Sequence, residues 1–272
     1  MTRADVAGGA RLLRHARSAD VVAYAARQAW QRARGRYVES LRSYRVVDGA
    51  LAAIDTPDGV VFVPRSLAHD ALAALLRDTY DPRAWHRYDG PWAPIARGAV
   101  VVDCGASVGL WARHALAAGA SRVVLVEPQD EYSEALARTF ASELEDGTAE
   151  LHRCALGAAD GTTRLAGAGL TARVAATGHD VPLRRLDSLL DGGRADFVKA
   201  DVEGAEQELV EGALGTIREH RPTLALTVYH AENDWRAIRA LVPDYRAETR
   251  GTTADGKPVL VILTPGEIPN ID

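Results

Sequence analysis

Lysine is almost missing from this 272-residue chain, where Lys199 and Lys257 stand against thirty arginines. That drift toward arginine is a compositional habit, but it makes a lysine inside an apolar run, as Lys199 is, conspicuous. Cysteine is equally scarce. Cys104 and Cys154 are too few for a disulfide framework or a cysteine metal cluster. Each closes an expected buried strand, where a small core side chain is the ordinary reading and a reactive thiol the alternative. No apolar run approaches the roughly 20 residues that span a bilayer. The opening Met-Thr-Arg-Ala-Asp-Val lacks the apolar core of a signal peptide. The expectation is a soluble, cytoplasmic protein with no membrane partner. Hydrophobic residues at 47% and charged residues at 25% are ordinary for a globular chain.

Positive charge is short overall and unevenly placed. The net charge of −5 argues against a nucleic-acid partner, as does the lack of an Asn-Pro-Pro-Tyr segment. From Met1 to Arg45, ten arginines face only Asp5, Asp20 and Glu39, which leaves the remainder at −12. A solvated helix face complementing an acidic body accounts for this. An anionic substrate or partner is the alternative.

Residues from about Asp5 to Ser43 read as one or two helices, with apolar positions near the helical period and arginines between them. Two strands, Tyr44–Ile54 and Gly59–Val63, flank an Asp-Gly hairpin signal. A helix over Ala68–Thr79 follows. The aromatic, proline-broken stretch Tyr80–Pro94 reads as an irregular loop. From Ala99 short apolar strands alternate with helices. The strands are 99–104, 122–126, 149–154, 196–200 and 223–229; the helices are 110–118, 130–144, 205–220 and 233–241. Between Gly161 and Gly178 the chain reads as ragged, and 181–190 as a short connecting segment. Strands 245–249 and 259–264 close as a hairpin, predicting one antiparallel strand at the end of an otherwise parallel sheet with helices on both faces. Residues 1–98 are thus an extension, a lid or dimer element, and residues 99–272 the core.

In such a sheet, ligands bind outside the carboxyl ends of the strands. The first core strand ends Asp103-Cys-Gly105-Ala106-Ser107-Val-Gly109. Gly105 permits a tight turn, and Gly109 a close approach of helix and cofactor. A dinucleotide normally wants Gly-x-Gly-x-x-Gly around its pyrophosphate, and Ser107 stands where the second glycine belongs. Asp103 beside the loop would repel a pyrophosphate but suits S-adenosylmethionine, which carries an ammonium and a sulfonium. Glu127 follows 24 residues after Asp103, at the end of the second strand, where a carboxylate accepts hydrogen bonds from ribose hydroxyls. Topology places the adenine near Cys154 and Ala155.

The fourth strand and its turn read Phe197-Val-Lys199-Ala-Asp201-Val-Glu203-Gly204-Ala-Glu206. Lys199, Asp201 and Glu203 share one side of an extended segment. A buried lysine needs a charged partner, so an ion pair at the strand end precedes a catalytic role for Lys199. For Asp201 the order reverses, because it faces the crevice. Glu203 or Glu206 can serve the positive end of the next helix. Together with Val-Val-Asp103-Cys-Gly105, Val-Glu127-Pro, Leu186-Asp187-Ser-Leu and Glu211-Gly212-Ala213, this segment resembles the FkbM family of methyltransferases over about Val100 to His230. The resemblance implies a Rossmann-like class I methyltransferase fold with a mostly parallel seven-stranded sheet, S-adenosylmethionine as donor, and O-methylation of a hydroxyl on a sugar, polyketide or other natural product.

Methyl transfer needs a positioned hydroxyl and a base. His230, expected to close the fifth strand, is the first candidate; Asp201 is the second, as base or as the partner orienting His230. A metal-assisted variant would join Asp201 to Glu232, Asn233 or Asp234 around Mg²⁺. Tyr80, Trp85, His86, Tyr88 and Trp92 either cover the acceptor or pack the extension onto the sheet. His86 is a reserve base. A nicotinamide-dependent oxidoreductase, a non-catalytic cofactor-binding partner protein and a homodimer through the N-terminal helices complete the alternatives.

Overall fold

The computed structural model describes residues 39–230 and 233–266. The expected helices between Asp5 and Ser43 therefore fall almost wholly outside the described residues; 39–42 are helical. Strands β1 (Arg45–Val46), β2 (Leu51–Thr56) and β3 (Gly59–Pro64) form an antiparallel sheet. The expected strand 44–54 is interrupted because the Asp48 carboxylate accepts the N–H groups of Ala50 and Leu51 and turns the chain. Helix α1 (His69–Tyr80) follows and stops just before Pro82. The stretch from Tyr80 to Pro94 is irregular, as its prolines imply, with one isolated bridge between Gly90 and Ala93.

The core runs β4 (Val100–Cys104), α2 (Leu110–Ala118), β5 (Arg122–Val126), α3 (Asp130–Thr139), α4 (Ala141–Asp146) and β6 (Ala149–His152). After it come β7 (Ala155–Leu156), β8 (Gly161–Ala166), β9 (Arg173–Ala175), β10 (His179–Arg184) and α5 (Leu186–Leu190). The chain continues through β11 (Phe197–Ala200), α6 (Glu206–Glu211), α7 (Leu214–His220), β12 (Thr223–Thr227), α8 (Trp235–Leu241), β13 (Tyr245–Thr252) and β14 (Pro258–Pro265). The main sheet has seven strands in the order β13-β14-β12-β11-β4-β5-β6. It is parallel except for β14, which runs antiparallel to both neighbours. The antiparallel strand thus lies inside the sheet, with β13 at the edge, rather than at the end where the closing hairpin was expected to put it. This order, with helices on both faces, is the Rossmann-like class I methyltransferase arrangement.

The strands alternate between two apolar layers. Val102, Val198, Leu224 and Leu226 face one cluster; Val101, Phe197 and Ala225 face the other. Strands buried on both faces must be apolar at nearly every position, and that makes Asp103 and Lys199 the exceptions to explain.

Three expected elements divide. Helix 130–144 breaks at Phe140, whose φ of −109° leaves the helical region. Helix 205–220 breaks at Gly212, where a Cβ would lie 2.1 Å from the Gly157 carbonyl oxygen. Strand 149–154 ends at His152, and β7 leaves the main sheet to pair with β10. The stretch read as ragged is in fact a second sheet of order β7-β10-β8-β9. The hairpin of β2 and β3 packs on α3, where Phe62 N–H donates to Thr139 Oγ1 at 2.9 Å and Arg138 lies over the Phe62 ring. Among the described residues, no helix is long and apolar enough to cross a membrane.

Candidate active site

The turn after β4 is shaped by contact with the turn after β11. Gly105 sits at φ +74°, and a Cβ there would lie 2.0 Å from the Asp201 carbonyl oxygen, so only glycine fits. Ser107 also takes a left-handed conformation, φ +50°, and donates its N–H to Glu127 Oε2 at 2.9 Å. Gly109, at φ +75°, begins α2. A Cβ on it would strike Phe140 and Leu136, so this glycine packs helix against helix. It is not among the residues lining the cavity described below, and the close approach seen is to Leu136 of α3 and to Phe140.

A cavity of about 500 Å³ opens at the carboxyl ends of β4, β5 and β11. That size falls within the usual range of small-molecule sites. Asp103, Gly105, Ala106, Ser107, Glu127, Cys154, Ala155 and Asp201 line it. Glu127 is buried; its Oε1 accepts Gln129 N–H at 3.0 Å and its Oε2 accepts Ser107 N–H. Burial raises its carboxyl above the usual range, and these two N–H groups oppose the rise. The Ser107 hydroxyl is shielded from solvent and has no hydrogen-bond partner among the described residues. Cys154 is a buried thiol pushed up to about 11 by desolvation, which leaves it a packing residue at neutral pH.

Asp103 and Lys199 are cross-strand neighbours in β4 and β11. Lys199 Nζ lies 2.9 Å from Asp103 Oδ1, with both side chains buried. It also donates to the Gly105 carbonyl at 2.6 Å and lies over the Tyr88 ring. Burial works to lower the Lys199 pKa, but the attraction of Asp103 and Asp201 outweighs it and holds the ammonium above its ordinary range. The ion pair expected from sequence is therefore present.

Asp201 accepts the Tyr88 hydroxyl on Oδ2 at 2.7 Å, and the Thr227 hydroxyl lies 3.1 Å from its Oδ1. Burial alone would raise this carboxyl. Lys199, His86, the Tyr88 hydroxyl and His230 together hold it below the usual range. Strand β12 ends at Thr227, so His230 lies three residues beyond the strand it was expected to close. Its Nε2 is 3.2 Å from Glu203 Oε2 and its Nδ1 is 3.6 Å from Glu206 Oε1. Burial opposes protonation here, but the two carboxylates override it and the ring is pushed up to about 10. Glu206 itself is fully buried at the start of α6. It accepts the N–H groups of Val202 and Gly204 and meets the Thr227 hydroxyl and the Asn233 amide.

Of the described aromatic residues before the core, only two reach the cavity. Tyr88 does so through Asp201, and the His86 ring stacks on Tyr229 with centroids 5.0 Å apart. Tyr80 is buried against His114, Trp85 is largely exposed beside Gly251, and Trp92 packs under Arg250. Glu232 lies outside the described residues. Asp234 does not line the cavity; it caps α8 by accepting Arg236 N–H at 2.9 Å.

Sequence reasoning missed one wall. Leu165, Leu170, Ala172 and Val174, from β8, β9 and the turn between them, close the cavity over the Glu127 side. The Gln129 side chain ties this flap down by donating to the Gly169 carbonyl at 3.0 Å. The period-two spacing of Val181 and Leu183 was the available signal.

The model of the methyltransferase FkbM domain matches residues 103–248. No curated protein matches the chain. Among solved structures, the FkbM methyltransferase of Methylobacillus flagellatus is 22% identical with a TM-score of 0.47, over 74% of this chain and 56% of that one. An rRNA methylase of Streptococcus thermophilus is 16% identical, TM-score 0.42, over 65% and 92%. A precorrin-6y C5,15-methyltransferase of Geobacter metallireducens is 12% identical, TM-score 0.41, over 75% and 93%. The chain thus spans little more than half the length of the first of these. With a family match over more than half its residues, running from the Asp103 turn through the Lys199–Glu206 segment to β13, the chain belongs to the FkbM methyltransferase domain family.

Proposed function

We propose that the chain transfers a methyl group from S-adenosylmethionine to a hydroxyl of a small-molecule acceptor, a sugar or polyketide-type natural product. The observation carrying this reading is that one cavity holds both halves of the chemistry: the glycine turn and Glu127 on one wall, and Asp201 with Tyr88 and His86 on another. The residues fit the cofactor. Glu127 keeps lone pairs for ribose hydroxyls, the orphaned Ser107 hydroxyl can hydrogen-bond to it, and small Cys154 and Ala155 leave room for a flat ring. When bound, S-adenosylmethionine supplies an electrophilic methyl on a sulfonium.

On the acceptor side, Asp201 moves ahead of His230 as the proton acceptor. Its carboxylate is held ionised, while in the metal-free chain Glu203 and Glu206 favour a proton on His230. Tyr88 fixes the orientation of Asp201. His86 on Tyr229 presents a flat surface at the mouth. In this proposal the described part of the 1–98 extension covers the acceptor side of the core through those two side chains. Of the described residues named for the Mg²⁺ variant, Asp201 lines the cavity, whereas Asn233 donates its amide to Glu206 and Asp234 caps a helix.

Calorimetric titration with S-adenosylmethionine and NAD, then a panel of glycosides and polyketides followed by release of S-adenosylhomocysteine, tests the proposal. Asp201→Asn should lower kcat by about 10²–10⁴. Tight NAD binding without a response to the sulfonium cofactor would sink it. Cofactor binding with no turnover on any acceptor would favour the non-catalytic alternative.

A further inference from the structure

Beside the acceptor wall, three side chains of different chemistry converge. Asp201, Glu203 and His230 each offer one donor atom, and these atoms lie within 4.8 Å of one another. Two come from the turn after β11 and one from the segment after β12, brought together because those strands are parallel neighbours. All three line the cavity. We propose that Asp201, Glu203 and His230 Nε2 form a binding site for a divalent transition-metal ion. Its role in catalysis rests on the methyltransferase reading; its existence does not.

The independent observation is the state of His230. Both of its ring nitrogens are shielded from solvent, yet among the described residues neither finds an aligned hydrogen-bond partner. Nε2 lies 3.2 Å from Glu203 Oε2. Donor atoms about 2.1 Å from a common first-row ion stand roughly 3.0–3.4 Å apart, so this pair already has the spacing of two ligands on one centre. The other nitrogen, Nδ1, faces Glu206 Oε1 at 3.6 Å. A metal-bound histidine commonly directs its second nitrogen to a carboxylate, which fixes the tautomer and the ring orientation. Glu206 suits that outer position. It is fully buried and already bound to Val202 N–H, Gly204 N–H and the Asn233 amide, so it cannot swing inward. Asp201 is supported in the same way by Tyr88 and Thr227, and its remaining lone pairs stay free.

The donor set also selects the ion. Two carboxylates offset a divalent charge. One imidazole among them favours Mn²⁺, Fe²⁺ or Zn²⁺ over Mg²⁺, which prefers oxygen alone. Three protein ligands leave positions open for an acceptor hydroxyl, whose pKa an ion there would lower. The set differs from the oxygen ligands that the sequence suggested around Glu232 and Asp234.

Mn²⁺ is the probe, added to the full chain without S-adenosylmethionine and followed by calorimetry and pulsed electron paramagnetic resonance. The expected result is one Mn²⁺ per chain with nitrogen modulation from an imidazole. Glu203→Gln and His230→Asn should each weaken binding at least tenfold, and His230→Asn should abolish the modulation. Circular dichroism checks that each variant is folded, and Glu127→Gln should leave Mn²⁺ affinity unchanged. No saturable binding by the wild-type chain, or binding without nitrogen modulation, overturns the proposal. Because S-adenosylmethionine binding is titrated separately, failure of the metal site and failure of the methyltransferase reading give different results.

Discussion

His114 should make the stability of this protein fall between neutral and mildly alkaline pH. The residue lies in α2, and its ring joins three parts of the chain. Its Nδ1 is 3.0 Å from Asp58 in the β2–β3 turn, and its Nε2 is 3.4 Å from Asp89 in the aromatic loop. Arg87 approaches the same nitrogen at 3.4 Å, and the Tyr80 ring meets it edge-on from the end of α1. Burial works against the charged ring, but the two aspartates dominate and push it from 6.5 up to about 9. A raised pKa means that the folded state binds the proton more tightly. The stabilisation is therefore full below the unfolded value and is lost as pH rises through the folded one. At about 1.4 kcal/mol per unit, the full effect is roughly 3 kcal/mol, of which about 2 kcal/mol disappears between pH 7 and pH 9. The side chain is 19% exposed, so solvent screening removes only part of this.

His230, pushed up to about 10, adds a pH dependence of the same sign. The measurement must therefore be a difference. Urea unfolding of the wild type and of His114→Gln at pH 7, 8 and 9 isolates the local contribution, because distant sites add nearly independently. The variant should be less stable at pH 7, and the gap should narrow by about 2 kcal/mol by pH 9. A gap that stays constant across this range refutes the argument, since it would mean that His114 stabilises as a neutral group.

Three further outcomes follow from the site. Gly105→Ala should cost more than about 3 kcal/mol in urea unfolding, because its Cβ meets the Asp201 carbonyl; Gly147→Ala, also at positive φ but with open space, should cost about 1 kcal/mol. Lys199→Met should destabilise by about 3–5 kcal/mol by leaving Asp103 buried and unpaired; adding Asp103→Leu should recover most of it, and a double variant no better than the single one would contradict the pairing. Glu127→Gln should weaken S-adenosylhomocysteine binding at least tenfold by calorimetry, because an amide supplies one acceptor where a carboxylate supplies two.

Much of the core was legible because its signals are local. Val100–Val102 and Val123–Val126 are apolar on both faces, and such runs declare a buried parallel strand without reference to anything distant. The motif residues were legible too, but several have structural rather than chemical causes. Asp187 accepts Gly215 and Thr216 N–H at the start of α7, and Gly212 lets α6 approach the Gly157 carbonyl. The illegible parts depend on long-range pairing. Strands β8 to β10 carry few large apolar residues, because most of their surface is exposed; only Leu165 and Val181 are buried. A strand whose apolar face is one residue wide gives almost no periodic signal. Likewise nothing local in His86, Tyr88, Tyr80 and Trp85 separates the two that reach the cavity from the two that do not, since that depends on where the loop meets β11.

The pairing of Asp103 changes what discriminates between cofactors. As a free charge it would have repelled a pyrophosphate and attracted an ammonium. Lys199, 2.9 Å away in the same apolar layer, offsets it. The pair seen from the cavity is closer to a dipole than to an anion, and its field falls off faster than a single charge's. Selection must then come from shape and hydrogen-bonding capacity. Ser107 occupies the second glycine position with a left-handed backbone, and its side chain stands where a pyrophosphate would need bare N–H groups. Its own N–H is already committed to Glu127. A pyrophosphate would have to displace that carboxylate from two backbone donors, Ser107 and Gln129, and then remain beside it in a buried site. A ribose hydroxyl needs no displacement, because it donates to the carboxylate oxygens as they stand. On the proposed reading, selection of a cofactor without phosphate would rest on Glu127 and Ser107 acting together, with Asp103 paired to Lys199.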